Sequence, residues 1–497
     1  MKRRLFAVLA AVCLLLCGCS TLSDVSDPIS DGDPVVDTPV DPLPDHMSLA
    51  YSHDDTLNPF TAPTAVNAQL TGLLYDSLTV IDAGLAPQLS LASAVTLSDP
   101  THLVVSLRQG AVFSDGSAVT PADVVTSFNE AKKSARYRAL LVNVSSAKAD
   151  KKQATVTFTL ASADPNAVAC LSFPVVKGST LTSEKGAAPL GGGIYMLQAT
   201  ADGAQLTANP RRTPAPHYTT VPLRHLPGHS ARHYALASGN ITYYYNDLID
   251  GDLPGIVGAN RAVTMNAMVY IGVNSARASL AVPTVRQALS KLVDRTAVCT
   301  TAYASWATPS AQPFHPQWTA MAEHTANAVR DVDAAVTLLD GAGFTPKNGK
   351  RLTLEMIYST DRTDRARVAD LIRNQMESGG VAITLVPLTE AEYRQRLAAG
   401  QYDLYIGEIR LTADMSLRPL LMGGAASYGV SRSGAAAVSY GQYLSGAATL
   451  EAFLTAFDTD MPYIPLCWRH GLAAYDRRLT TVTPTGYDPY SGFAAWQ

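Results

Sequence analysis

Residues 352–407 read LTLEMIYSTDRTDRARVADLIRNQMESGGVAITLVPLTEAEYRQRLAAGQYDLYIG, and this stretch decides the fold. Leu352 to Tyr358 has the β-branched and apolar content of a strand. From Asp364 to Glu377, Val368, Leu371, Ile372 and Met376 fall on one helical stripe, which stops at Gly379-Gly380. Val381 to Val386 reads as a second strand. Thr389-Glu390-Ala391-Glu392 has capping-box spacing and opens a short helix that Gly400 closes. Tyr402 to Ile406 is the next strand. A β-α-β-α-β run of this kind predicts an α/β domain in the second half of the chain.

Working outward, Pro283 to Asp294 predicts a helix with Val285, Ala288, Leu289 and Leu292 on one face, and Val332 to Leu339 another, stopped by Gly341 and Gly343. Nearer the N-terminus, Leu103 to Leu107 and Ala154 to Leu160 alternate apolar and polar residues, as half-buried strands do. Between them Thr120-Pro121-Ala122-Asp123 is a helix start. The Thr120 hydroxyl caps free N–H groups, Pro121 sits where its missing donor costs nothing, and Asp123 meets the positive end of the helix dipole. No repeat of solenoid length is visible.

The first residues carry an address. Lys2, Arg3 and Arg4 precede an apolar run from Leu5 to Leu16, too short to span a bilayer, and then Leu16-Cys17-Gly18-Cys19-Ser20. This is an export signal, and its end resembles the lipobox of bacterial lipoproteins. That resemblance implies that Cys19 is acylated and becomes the mature N-terminus, which places the rest of the chain at the outer face of the cell membrane. Ser20 to Met47 holds seven aspartates and five prolines with no Lys or Arg. Such a tether cannot bury enough apolar surface to fold, and it reaches at most about 90 Å.

Residues 48–497 are too many for a single core. The chain is 47% hydrophobic with mean hydropathy +0.06. No later stretch is long and apolar enough for a membrane span. The net charge of −4 and the absence of a Lys/Arg cluster exclude a nucleic-acid partner. Beyond the signal and Cys19, only Cys170, Cys299 and Cys467 remain, an odd set of isolated thiols expected to be buried small hydrophobes. GxSxG, HExxH, P-loop and GxGxxG motifs are absent, and the ten histidines are scattered without metal-ligand spacing. An enzyme is therefore the weaker reading, and neither a cofactor nor a metal is expected.

A series of phrases resembles the family 5 extracellular solute-binding proteins, the peptide- and nickel-binding lipoproteins of ABC importers. Leu57-Asn58-Pro59-Phe60 with Leu73-Leu74-Tyr75-Asp76-Ser77-Leu78 resembles the family's opening. Leu107-Arg108-Gln109-Gly110-Ala111-Val112-Phe113-Ser114-Asp115-Gly116, continuing through Thr120-Pro121-Ala122-Asp123 to Ser127-Phe128, resembles its most specific signature. Pro189 to Tyr195, Ser238-Gly239-Asn240-Ile241, Val285 to Arg295, Asp331 to Phe344, Gln401 to Gly407 and Met461 to Leu466 follow in the family's order. The resemblance implies a two-lobed periplasmic-binding-protein-like α/β fold of class II. Its expected parts are a signal peptide over 1–18, a lipidated tether over 19–47, an N-terminal lobe over 48–265 with an inserted subdomain near 78–170, a second lobe over 266–471, and a return to the first lobe over 472–497.

It also implies the function: a membrane-anchored, monomeric receptor that captures peptides between its lobes and delivers them to ABC permease subunits. Nickel, haem or another solute in the same fold, a sensor or chaperone, and a lipid-anchored hydrolase are the alternatives. In peptide-binding relatives the loop after the strand at Tyr402 to Ile406 carries a Gly-Trp-x-x-Asp-like phrase whose acid pairs with the ligand's α-amino group. Here the tryptophan is missing; Asp414 is the nearest counterpart, and Glu408 is its rival. Arg410 could hold a ligand carboxylate or pair with either acid. Tyr428, in a Ser427-Tyr428-Gly429 phrase resembling the family's Asn-Tyr-Gly, and Trp306 are candidates for packing on a ligand, with core packing the alternative for both.

Overall fold

The computed structural model describes residues 46–182, 187–201, 203–251, 255, 258–324 and 329–497. Cys19, the export signal and nearly all of the tether lie outside them. Residues 352–410 fold as an alternation of strand and helix. Leu352–Ser359 pairs in parallel with Val381–Leu388 and with Leu404–Arg410, and the helices Thr363–Glu377 and Glu390–Ala398 make the crossovers. The Thr389 hydroxyl and the Glu392 carboxylate cap each other's backbone as the spacing demanded, an arrangement that contributes about 1 kcal/mol. The helix at Thr120 is capped the same way, because the Asp123 carboxylate also accepts from the Thr120 N–H.

These strands are one end of an 11-stranded sheet. Two long antiparallel strands, Ala259–Val273 and Tyr463–Tyr475, cross its middle. Beyond them the order is Tyr243–Asn246, Leu49–Tyr51, Thr220–His225, Gly203–Ala208 and Tyr195–Thr200, and Leu49–Tyr51 runs parallel to both neighbours. The pairing of the two long strands slips between Thr264 and Met268. Close packing fixes the register on the other edge of Ala259–Val273. The Tyr405 ring covers Gly272 opposite it, and the Tyr270 ring covers Gly407, so a Cβ on Gly272 would lie 1.9 Å from the Tyr405 ring. Only glycine admits that approach.

The expected strands near 103–107 and 154–160 run His102–Leu107 and Thr155–Leu160, in an antiparallel four-stranded sheet with Ala92–Asp99 and Val144–Asp150. The helix Pro121–Lys133 covers it through Val124 and Phe128. The apolar residues gather in two large cores. One draws on Met268 to Trp468 and also takes in Leu85, whereas the other draws on Met47 to Val263, residues 473–496 and Ala413. Cys170, Cys299 and Cys467 are free and buried. No helix among the described residues is long and apolar enough to cross a membrane.

Candidate functional site

A cavity of about 450 Å³ lies where the two large cores face each other. One wall is Leu85 to Pro87 with Pro165, Asn166, Val168 and Ala169; the other is Trp318 to Ala320 with Ala413 and Met415. The chain reaches across its edge at three places. Gly84 O accepts from the Thr319 N–H at 3.0 Å and from the Thr319 hydroxyl at 3.1 Å. Leu85, held at a positive φ of 58° and 1% exposed, enters the opposite core. The Asn166 amide donates to the Tyr443 hydroxyl at 3.3 Å.

Asp414 sits between two residues that line this cavity and is itself only 3% exposed. It is not the solvated loop acid that the sequence left open. Burial pushes its carboxyl up to about 6; the Thr412 hydroxyl, which donates to it, pulls the other way, and neighbouring Asp164 pushes further up. Asp164, from the opposite wall and 4% exposed, is also raised by burial, against the Asn166 N–H and the Arg418 guanidinium. Arg418 approaches Asp164 at 3.6 Å and donates to the Ala163 carbonyl. Cys170 is packed against the same acids, and burial followed by their charge raises its thiol well above the usual range. Two buried carboxylates therefore share one guanidinium.

Glu408 and Arg410 belong to another place. They border a pocket of about 160 Å³ with Asp247, Ile249, Met265, Arg362 and Arg365. Glu408 is held by Arg365 at 2.7 Å, Arg362 at 3.0 Å and Arg469 at 3.5 Å. Arg362 and Arg469 also reach Asp364, at 2.8 and 3.8 Å. Burial alone would raise the Asp364 carboxyl, but Arg365, Arg362 and Arg469 outweigh it and hold it below the ordinary value. Arg410 pairs with Asp247 at 3.5 Å, rather than with Glu408 or Asp414, and remains half exposed at the pocket mouth.

Tyr428 is half-buried and packs edge-on against Tyr405, with ring centroids 6.3 Å apart. Trp306 packs on a small third core around Ala50, Tyr244 and Leu472. Neither lines the 450 Å³ cavity. The sequence reading missed Asp164, Arg418 and the Glu408 cage. Asp164 lies in an irregular loop far upstream with no motif around it, so only the folded chain brings it to Asp414.

A sequence profile for bacterial extracellular solute-binding proteins, family 5 Middle, matches residues 86–419. A search of curated proteins finds no match. Among solved structures, the chain is similar to an unliganded open form of a periplasmic murein tripeptide binding protein, with TM-score 0.75 and 16% identity over 91% of this chain and 98% of that one. A nickel ABC transporter protein from Bacillus halodurans gives TM-score 0.73 and 18% identity over 90% and 97%. A protein from Clostridium difficile described as a putative peptide binding protein gives 0.71 and 17% over 91% and 99%. At these identities the likeness shows a shared two-lobed fold.

Proposed function

The chain belongs to the bacterial extracellular solute-binding proteins, family 5, and we propose that it is the peptide-capturing receptor of an ABC importer, tethered outside the cytoplasm through an acylated Cys19. The observation that carries this reading is the shortage of positive charge beside the 450 Å³ cavity, where among the described residues Asp414 and Asp164 share only Arg418. A ligand ammonium supplies the missing cation. A peptide's backbone groups can then pair with the walls while its side chains vary. Arg410, half exposed beside the smaller pocket, is the partner proposed for a ligand carboxylate. Glu408 is neutralised within its cage and acts as scaffold.

In this reading the lobes are residues 48–265 with 472–497, and 266–471, and the inserted subdomain is near 78–170. The separate cores and the register slip at Thr264 to Met268 support a hinge there. Ligand stabilises the closed form through its greater affinity for it. The closed receptor docks on permease subunits as a monomer, and ATP is hydrolysed by other subunits. Binding, with no catalytic step, is the whole of its chemistry.

Mass spectrometry of the ligand that co-purifies with the untagged protein, followed by calorimetry on Asp414→Ala, tests this. Amine-bearing peptides should be recovered, and the variant should bind them at least tenfold more weakly. Equal affinity removes Asp414 as the anchor, and hydrolysis of a bound peptide or ester overturns the binding reading.

A further inference from the structure

The parallel strands Leu49–Tyr51 and Thr220–His225 place Tyr51 opposite His225, so the chain leaving the first strand carries His53 over the His225 ring. The two imidazoles lie with centroids 3.7 Å apart and planes tilted by 47°. Asp54 stands between them, one carboxylate oxygen 3.0 Å from His53 Nε2 and the other 3.7 Å from His225 Nε2. One ligand atom from each of the three lies within 4.8 Å of the others, and among the described residues no other group of three such side chains is this close. Asp55 next door is engaged elsewhere, accepting from the Thr56 and Thr64 N–H groups.

We propose that His53, Asp54 and His225 form a binding site for a borderline divalent transition-metal ion, of which Ni2+ and Zn2+ are the natural probes. A tetrahedral ion with ligands at about 2.1 Å separates its donors by about 3.4 Å, a value that the two carboxylate-to-imidazole distances bracket. Two imidazoles with one carboxylate suit zinc, nickel or copper, whereas calcium and magnesium require oxygen cages. All three side chains are exposed, so an ion reaches them directly and keeps outward positions for water or a small chelator.

The His53 N–H donates to His225 Nδ1 at 3.2 Å, which puts the hydrogen of the neutral ring on Nε2. Metal takes the place of that hydrogen, the ring then carries its proton on Nδ1, and water takes over the exposed His53 amide. The site shares no residue with the Asp414 cavity, so it stands or falls independently of the peptide reading.

Calorimetric titration of the chelator-stripped, untagged full chain in detergent with NiCl2, ZnCl2 and MgCl2 tests it. One saturable Ni2+ or Zn2+ ion per chain is expected, at least tenfold weaker in His53→Ala and in His225→Ala. His217→Ala, which removes an exposed histidine elsewhere, should bind as the parent does, and Mg2+ should not saturate. Circular dichroism verifies that the surface variants are folded. Absence of Ni2+ and Zn2+ binding, or full affinity in the double variant His53→Ala with His225→Ala, overturns the proposal.

Discussion

Glu408 and Asp414 sit in one segment of chain, and their surroundings are built in opposite ways. Around Glu408, Arg362, Arg365 and Arg469 interlock with Asp364, so each buried charge has partners of the other sign. Around Asp414 a second buried acid is present and one guanidinium serves both, so burial raises both carboxyls. The first arrangement pairs both of its carboxylates without a ligand, three guanidinium groups facing two acids. If Asp414 anchors a ligand amine, as we propose, a cation completes the second, and that is what separates it from a scaffold made of the same residue types.

The largest effect should come from breaking the cage around Glu408. Glu408→Ala leaves three guanidinium groups facing one carboxylate and is expected to destabilise the fold by about 3–5 kcal/mol in urea unfolding. A loss below about 1 kcal/mol would erase the contrast. Next is the contact that joins the two walls of the 450 Å³ cavity. Leu85→Ala empties a buried position in the far core, with an expected cost of about 2–5 kcal/mol. Because that contact crosses between cores, ligand affinity should fall as well, which calorimetry on the folded variant reads directly.

Asp414 offers a test by pH. Its folded-state value of about 6 lies above the ordinary aspartate value of about 3.9, so the fold favours the protonated form. The contribution of Asp414 to ligand-free stability should therefore be most favourable in acid, decline as pH rises from about 4 to about 6, and level off above, by at most about 3 kcal/mol. Asp164 is shifted the same way and adds to the slope. Asp414→Asn should remove the share of that decline that belongs to Asp414 in a pH series of urea unfolding. Smallest is Arg410→Ala, which removes a half-exposed side chain: stability within about 0.5 kcal/mol of the parent, and affinity for a peptide with a free carboxylate about tenfold lower than for the parent.

The parts of the fold that local rules govern were legible in the sequence. The weave over 352–407 followed from helical stripes, glycine stops and the Thr389 to Glu392 spacing, and the cap at Thr120 from four consecutive residues. The strand Ala259–Val273 was not. From Met265 onward it is buried on both faces, so it lacks the alternation that marks a strand against one core. The same limit applied at the site. Asp414 was singled out by the resemblance of its loop to that of peptide-binding relatives, but nothing near it in sequence announced Asp164. His53 and His225 look like scattered histidines because they are 172 residues apart and meet only through parallel pairing. For Arg410 the sequence left open a ligand carboxylate or a pairing with Glu408 or Asp414, and in the fold it pairs with Asp247 from another segment.

The most direct test pairs two readings on one variant, Asp414→Asn, at pH 7: unfolding free energy without ligand and affinity for the co-purifying ligand. A site short of a cation predicts that the variant is more stable than the parent when empty, by up to about 3 kcal/mol, and binds at least tenfold more weakly. A variant that is less stable when empty, or that binds as the parent does, contradicts the account.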